Sequence, residues 1–173
     1  MPKTLLTLNQ VNESHYSLIA SVLKTHLTAS SCLALHGDLG AGKTSFARCF
    51  IQSYLNSEHM DVPSPTYTLA QHYPAHGERD PDIWHYDFYR LENENEIIEI
   101  GFDENLDNSI SIVEWPEKIA NHLPLDTLLI QFTSSEDKNS RQLNFISSKP
   151  WDDLLKEIKQ TPILEALIEN ENQ

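Results

Sequence analysis

The sequence predicts an α/β fold in which short apolar strands alternate with amphipathic helices. Three observations carry the prediction. The segments CLALH (32–36) and ISIVE (110–114) are short, largely apolar runs, as strands buried on both faces require. Two stretches repeat apolar residues at helical spacing: Leu18, Ile19, Val22, Leu23 and Leu27 in one, and Phe46, Ala47, Phe50, Ile51, Tyr54 and Leu55 in the other. A glycine-rich loop joins the first apolar strand directly to the second of these helices.

In chain order, Lys3 to Leu8 alternates polar and apolar residues, with Leu6 and Leu8 on one face, and is expected to be a strand. Asn12 suits the N-cap of a helix running to Leu27. Cys32 to His36 is the buried strand, and Thr44 to Leu55 the helix after the loop. Pro63 and Pro65 mark a break. Tyr67 to Tyr73 and Ile83 to Tyr89 are expected strands, joined by the connector from His76 to Pro81. An acidic helical stretch covers Asn93 to Ile100. Ile110 to Trp115 is a further strand, and Pro116 opens a short helix to about His122. Thr127 to Thr133 and Arg141 to Ser147 form a last pair of strands. Two amphipathic helices, Trp151 to Gln160 and Pro162 to Glu169, make up the tail. Residues 1–148 are therefore expected to form one domain, with 149–173 a helical extension of it.

Composition narrows the function classes. No apolar run approaches the roughly 18 residues of a membrane span, and the first residues are too polar for a secretory signal. Cys32 and Cys49 form no CxxC pair and cannot make a structural zinc site alone. A cytoplasmic protein with no membrane partner is expected. Lys and Arg number 12 against 26 Asp and Glu, a formal charge of −14. Such a surface repels nucleic-acid backbones, whose affinity depends on Lys and Arg displacing counterions. Bare binding to DNA or RNA is disfavoured, and any anionic ligand needs a local device that overrides the global field.

The loop is that device. Gly37-Asp38-Leu39-Gly40-Ala41-Gly42-Lys43-Thr44 matches GxxxxGK[ST], the P-loop pattern, with an apolar strand before it and an amphipathic helix after it. Glycines let the backbone curl so that successive N–H groups point at phosphate oxygens, and the helix N-terminus adds free donors. Lys43 is placed to reach the β and γ phosphates, and the Thr44 hydroxyl to ligate Mg²⁺. A chance match is expected in about one chain of this length in a hundred or fewer.

Such a site needs an acid at the end of a neighbouring strand. Asp87 and Glu114 both qualify, although each also fits a solvated strand end. Arg90 could pair with an acid or face the triphosphate. Ser64-Pro65-Thr66-Tyr67 is a stiff loop with two hydroxyls, of a kind that can sense a γ-phosphate or simply turn the chain. Trp115 could be core, a stacking face for a nucleotide, or an interface anchor. The eight histidines form no metal-binding pattern and are expected to be structural or surface residues.

Four segments together resemble the TsaE (YjeE) family of small bacterial ATPases: LALHGDLGAGKTSFAR (33–48), VPSPTYTL (62–69), HYDFYRL (85–91) and IVEWPEKI (112–119). The resemblance implies a P-loop core with a mixed central sheet flanked by helices. It implies that Asp87 is the acid of the HxDxYR motif, that Glu114 ligates Mg²⁺, and that Thr66 is a switch-like threonine. Lys43, Asp87, Glu114 and Thr66 are then the expected catalytic group, and Thr44, Glu114 and Asp87 the metal group. ATP contacts are expected from Gly37, Asp38, Leu39, Gly40, Ala41, Gly42, Lys43, Thr44 and Ser45. Trp115, Glu13 and Arg141 complete that set. Two features depart from the family: His15 and Tyr16 stand where many relatives carry a threonine, and the tail after Lys149 is longer.

The same resemblance implies a function beside TsaB and TsaD in threonylcarbamoyladenosine formation at adenosine 37 of ANN-reading tRNAs, with ATP hydrolysis resetting the complex. The tRNA would be held by the partners, which the −14 charge accommodates. Nine acids and no Lys or Arg between 92 and 117 make either a solvated acidic surface or a candidate face for a basic partner. A P-loop small-molecule kinase is the alternative, though only four arginines, without a cluster, could serve a lid. A GTPase lacks its DxxG and [NT]KxD segments. An ATP-dependent adaptor with little turnover of its own is the non-enzymatic option.

Overall fold

Seven strands form one mixed sheet in the computed structural model, which describes residues 1–77, 80–93, 95–135 and 137–168. They are β1 (Lys3–Val11), β2 (Cys32–His36), β3 (Ala70–Tyr73), β4 (Asp82–Asp87), β5 (Ser109–Glu114), β6 (Leu128–Ser134) and β7 (Arg141–Ser147), in the spatial order β1-β7-β6-β2-β5-β4-β3. The inner four, β6, β2, β5 and β4, run parallel. Antiparallel strands flank them, with β7 and then β1 on one side and β3 on the other. This is the mixed α/β sheet expected above.

The helices are α1 (Glu13–Leu23), α2 (Lys43–Tyr54), α3 (Asn95–Glu99), α4 (Phe102–Leu106), α5 (Asp152–Gln160) and α6 (Pro162–Glu165), with a 3-10 turn at Pro116–Ile119. Strand alternation sorts the core onto two faces. Ile83, Ile110 and Ile112 join Phe46, Phe50, Ile19, Ile158 and Leu164 in a cluster beneath α1, α2 and the C-terminal helices. Tyr86 and Val113, one residue out of phase, face Phe88, Ile97, Phe102 and Ile119 on the other side. β5 is buried throughout, as a central parallel strand must be.

Several elements differ from expectation for local reasons. β1 runs on to Val11, with an irregular register between Leu8 and Val11 and a positive φ at Gln10. α1 is capped by Asn12, whose Oδ1 accepts from Ser14 N at 3.0 Å, but it stops at Leu23 rather than Leu27. The Thr25 hydroxyl there donates back to the Val22 carbonyl at 2.8 Å, a bond that competes with helix propagation. Tyr67 to Leu69 is turn rather than strand, with Leu69 at φ +62°. β4 ends at Asp87 because that side chain accepts from Tyr89 N at 3.0 Å and turns the chain. The acidic helix shrinks to α3, and α4 follows it unforeseen. The helix after Pro116 is a single 3-10 turn. α6 is also one turn, since the chain beyond it leaves to meet β1: Asn9 N donates to Leu167 O at 2.7 Å, and Ile168 bridges Leu8. Glu78 and Arg79 of the expected connector, Glu94 of the expected acidic helix and Glu169 of the expected last helix lie outside the described residues.

Candidate functional site

The C-terminal ends of β2, β4 and β5 deliver the site, where parallel α/β sheets place their ligands. β2 leads into Gly37–Gly42, and α2 starts at Lys43. Gly37 and Gly42 are required as glycines. Gly42 caps α2 at φ +103°, and a Cβ at Gly37 would lie 2.8 Å from the Phe132 carbonyl oxygen. Lys43 is 4% exposed. Its ammonium donates to the carbonyls of Gly37 at 2.6 Å and Asp38 at 2.8 Å, and lies 4.0 Å from the centre of the Trp115 ring. Burial lowers its pKa from the ordinary lysine value, against the opposing fields of Glu114, Glu117, Asp87 and Asp38. The cation is held inside the loop and aimed across its mouth.

Two acids stand side by side beyond it. Asp87 and Glu114 are register partners on β4 and β5, on the same face as Ile83 and Ile112, and both are buried. Each has its own donors, as buried carboxylates must. Glu114 accepts from the Thr44 hydroxyl at 2.9 Å and faces His85 Nε2 at 2.9 Å. Asp87 accepts from the hydroxyls of Ser64 at 2.7 Å and Thr66 at 2.6 Å, besides Tyr89 N. The Ser64-Pro65-Thr66 loop is thus tied to the strand end by two hydroxyls on one carboxylate oxygen.

Lys43, Thr44, Ser45, Thr66, Asp87, Glu114, Trp115, Glu13 and the loop residues Leu39 to Gly42 line one cleft of about 390 Å³, together with Ser64 and Tyr89. A second cleft of about 500 Å³ shares Glu13 and Gly40 to Gly42 and adds Tyr16, Asn139 and Arg141. Glu13 stands at the junction, and Arg141 reaches only the outer cleft. Gly37 and Asp38 line neither, and contribute their carbonyls to Lys43.

Trp115 is half-buried at φ +58°, packed on Tyr89 with ring centres 5.0 Å apart. It covers Lys43 and walls the cleft. Arg90 pairs with no acid among the described residues and lines neither cleft. Its guanidinium lies over the exposed ring of Tyr67, 4.3 Å from the centre, and donates to that hydroxyl at 3.3 Å. Sequence reasoning missed His85 and Tyr16 as contributors and placed Ser64 only in a hydroxyl-bearing loop, without its contact to an acid. His85 and Ser64 touch the acids directly, and Tyr16 lies under the loop, its hydroxyl 2.6 Å from where a Cβ on Gly42 would stand. The period-two spacing of His85 and Asp87 was the available signal for the first. Burial, with the nearby Glu13 carboxylate, pushes the Tyr16 pKa up to about 12, so its hydroxyl stays protonated. Of the nine acids between 92 and 117, Glu114 belongs to this site and not to a surface.

Among the described residues, no three His, Cys, Asp or Glu side chains gather as a self-sufficient metal site. The donor set does fit Mg²⁺, which favours oxygen ligands and takes most of them from phosphate and water. Thr44 and Glu114 put a hydroxyl and a carboxylate in contact beside the loop. No helix among those residues is long and apolar enough to cross a membrane.

Sheet, loop and strand-end acids define an α/β protein of the P-loop NTPase type. The family model described as "Threonylcarbamoyl adenosine biosynthesis protein TsaE" matches residues 10–143. The TsaE protein of Rickettsia felis is 33% identical, over 91% of this chain and 90% of that protein. The one from Rickettsia conorii is 37% identical over 82% and 77%, and the one from Bacillus subtilis 32% over 78% and 81%. The crystal structure of Bacillus subtilis YdiB superposes with a TM-score of 0.71 at 26% identity, covering 94% of this chain and 98% of that one. The chain belongs to the TsaE family, which acts in tRNA threonylcarbamoyladenosine biosynthesis.

Proposed function

We propose that this protein is a Mg²⁺-dependent ATPase that works with TsaB and TsaD in the cytoplasm, its ATP cycle resetting the tRNA-modifying complex. The observation that carries this reading is the convergence of Lys43, Thr44, Glu114 and the Asp87-tethered loop on one cleft at the strand ends. In it, the loop backbone and α2 N-terminus hold the phosphates, and Lys43 turns from the Gly37 and Asp38 carbonyls to the β and γ oxygens. Thr44 and Glu114 hold Mg²⁺, which when bound neutralises charge on the phosphate oxygens. Asp87 holds Ser64 and Thr66 at the γ-phosphate end, so that release of this loop reports the nucleotide state. Glu13, Arg141 and Trp115 contact the rest of the nucleotide. Residues 1–148 act as the ATPase domain and 149–173 as its C-terminal extension, of which Leu154, Ile158 and Leu164 are buried in the main core. The tRNA stays with the partners, consistent with the −14 charge.

The test is ATP hydrolysis by the chain alone and with TsaB and TsaD, beside Lys43→Ala. Wild-type turnover should rise with the partners, and the variant should lose it. Full partner-stimulated hydrolysis by Lys43→Ala would refute the role of the loop. Phosphate transfer to a metabolite would favour the kinase alternative.

A further inference from the structure

His85 is the one fully buried charged-or-polar side chain on β4 that the reading above leaves unused. It lies on the face of Asp87, and its Nε2 is 2.9 Å from Glu114 Oε1, with ring and carboxylate 0% and 2% exposed. Because a carboxylate accepts, the proton of this contact sits on Nε2. Nδ1 is buried and has no partner among the described residues, so a proton there would be a donor without an acceptor. The ring therefore serves as a single, directed Nε2–H donor.

Glu114 needs that donor. Its strand neighbour is Asp87, another carboxylate, whose oxygens are already engaged by Ser64, Thr66 and Tyr89. Thr44 alone fixes one oxygen of Glu114 and leaves the carboxylate free to rotate about that contact. The imidazole on the other oxygen fixes the plane. We propose that His85 is a positioning residue that locks the Glu114 carboxylate so that Oε2 faces the Thr44 hydroxyl, presetting the oxygen pair for Mg²⁺. This rests on the reading of Glu114 and Thr44 as the Mg²⁺ pair. Partners of this kind, one step removed from a metal, typically change metal affinity or activity ten- to a hundredfold when replaced.

The experiment is a Mg²⁺ titration of AMP-PNP binding, followed by calorimetry, with Mg²⁺-free ADP affinity as the measure of an intact loop. His85→Leu should need about ten- to a hundredfold more Mg²⁺ for half-maximal tightening, with Mg²⁺-free affinity within about twofold of wild type. His85→Gln, whose amide Nε2 can still reach Oε1, should restore most of the Mg²⁺ response. Glu114→Gln is the control for the underlying reading. If it shifts the Mg²⁺ requirement and His85→Leu does not, the positioning role is overturned. If Glu114→Gln leaves the requirement unchanged, the reading of the metal pair falls and takes the role of His85 with it. Should His85→Leu fail to fold, His85→Asn replaces it: its donor is one methylene too short, so a Mg²⁺ response equal to that of His85→Gln overturns the proposal.

Discussion

Gly42→Ala meets two penalties that a second substitution can separate. Residue 42 lies at φ +103°, where an L side chain costs about 1–2 kcal/mol. The new methyl would also lie 2.6 Å from the Tyr16 hydroxyl oxygen. Tyr16 is 2% exposed and set edge-on against Phe46 and Phe132, with ring centres 5.3 and 6.2 Å away. Although it borders the outer cleft, its ring is wedged by these contacts, so the hydroxyl yields only if the ring shifts, and overpacking of this sort costs about 1–3 kcal/mol. The single variant should therefore lose about 2–5 kcal/mol. In Tyr16→Phe the closest ring atom is Cζ at 3.5 Å, an ordinary contact, so the second penalty disappears and the first remains. Tyr16→Phe alone should cost no more than about 1 kcal/mol. The double variant should thus be about 1–3 kcal/mol more stable than the sum of the singles. Urea unfolding without nucleotide, at unchanged slope, measures this. Additivity within about 0.5 kcal/mol would refute the steric argument and leave the backbone as the whole effect.

Trp115 is also left-handed, at φ +58°, so Trp115→Gly should be about 1 kcal/mol more stable than Trp115→Ala, reversing the usual order; urea midpoints decide it. Cys32 is buried with its pKa pushed up to about 12 by burial, so it should resist thiol reagents in the native state and react in urea, while half-exposed Cys49 reacts first. The Asp82 carboxyl is held below the usual range by the N–H of Ala75 and then by His72. A lowered folded pKa stabilises at pH above the unfolded value, and that contribution is lost as pH falls through the folded one. Asp82→Asn should therefore cost no more than about 1 kcal/mol at neutral pH, the pair being well exposed. The difference in thermal midpoint should close as pH drops below about 4.

What was legible in the sequence followed from local signals. The P-loop is contiguous, so pattern and flanks located it outright, and β2 and β7 ended where their apolar patterns ended. The strand pattern put Glu114 at the end of an apolar run and Asp87 inside an expected strand, two residues short of its end. It could not reveal that the two strands lie side by side in register, which is what brings His85 to Glu114 and sets the acids next to each other. The segment Tyr67 to Leu69 looked like strand because aromatic and β-branched residues favour that state. Its course is decided instead by hydroxyls reaching 21 and 23 residues ahead to Asp87. α4 is five residues long with one buried anchor, Phe102, too short to show a helical period. Arg90 found an aromatic ring where charge alone had suggested an acid or a phosphate.

The adjacency of β1 and β7 has a consequence for how the protein comes into being on the ribosome. These are the first and last strands of the sheet, yet each is the other's hydrogen-bonding neighbour. Chain growth at 5–20 residues per second separates their appearance by on the order of ten seconds. Through that interval β1 lacks its β7 partner, an edge open to wrong pairings. The P-loop is complete soon after α2 emerges, but its outer cleft joins Glu13 to Arg141 and closes only with β7. A nascent chain therefore owns the P-loop long before it owns a finished outer cleft. If nucleotide spans both clefts, as proposed above, full-affinity binding arrives late in synthesis, and its mass-action stabilisation of the fold arrives late with it.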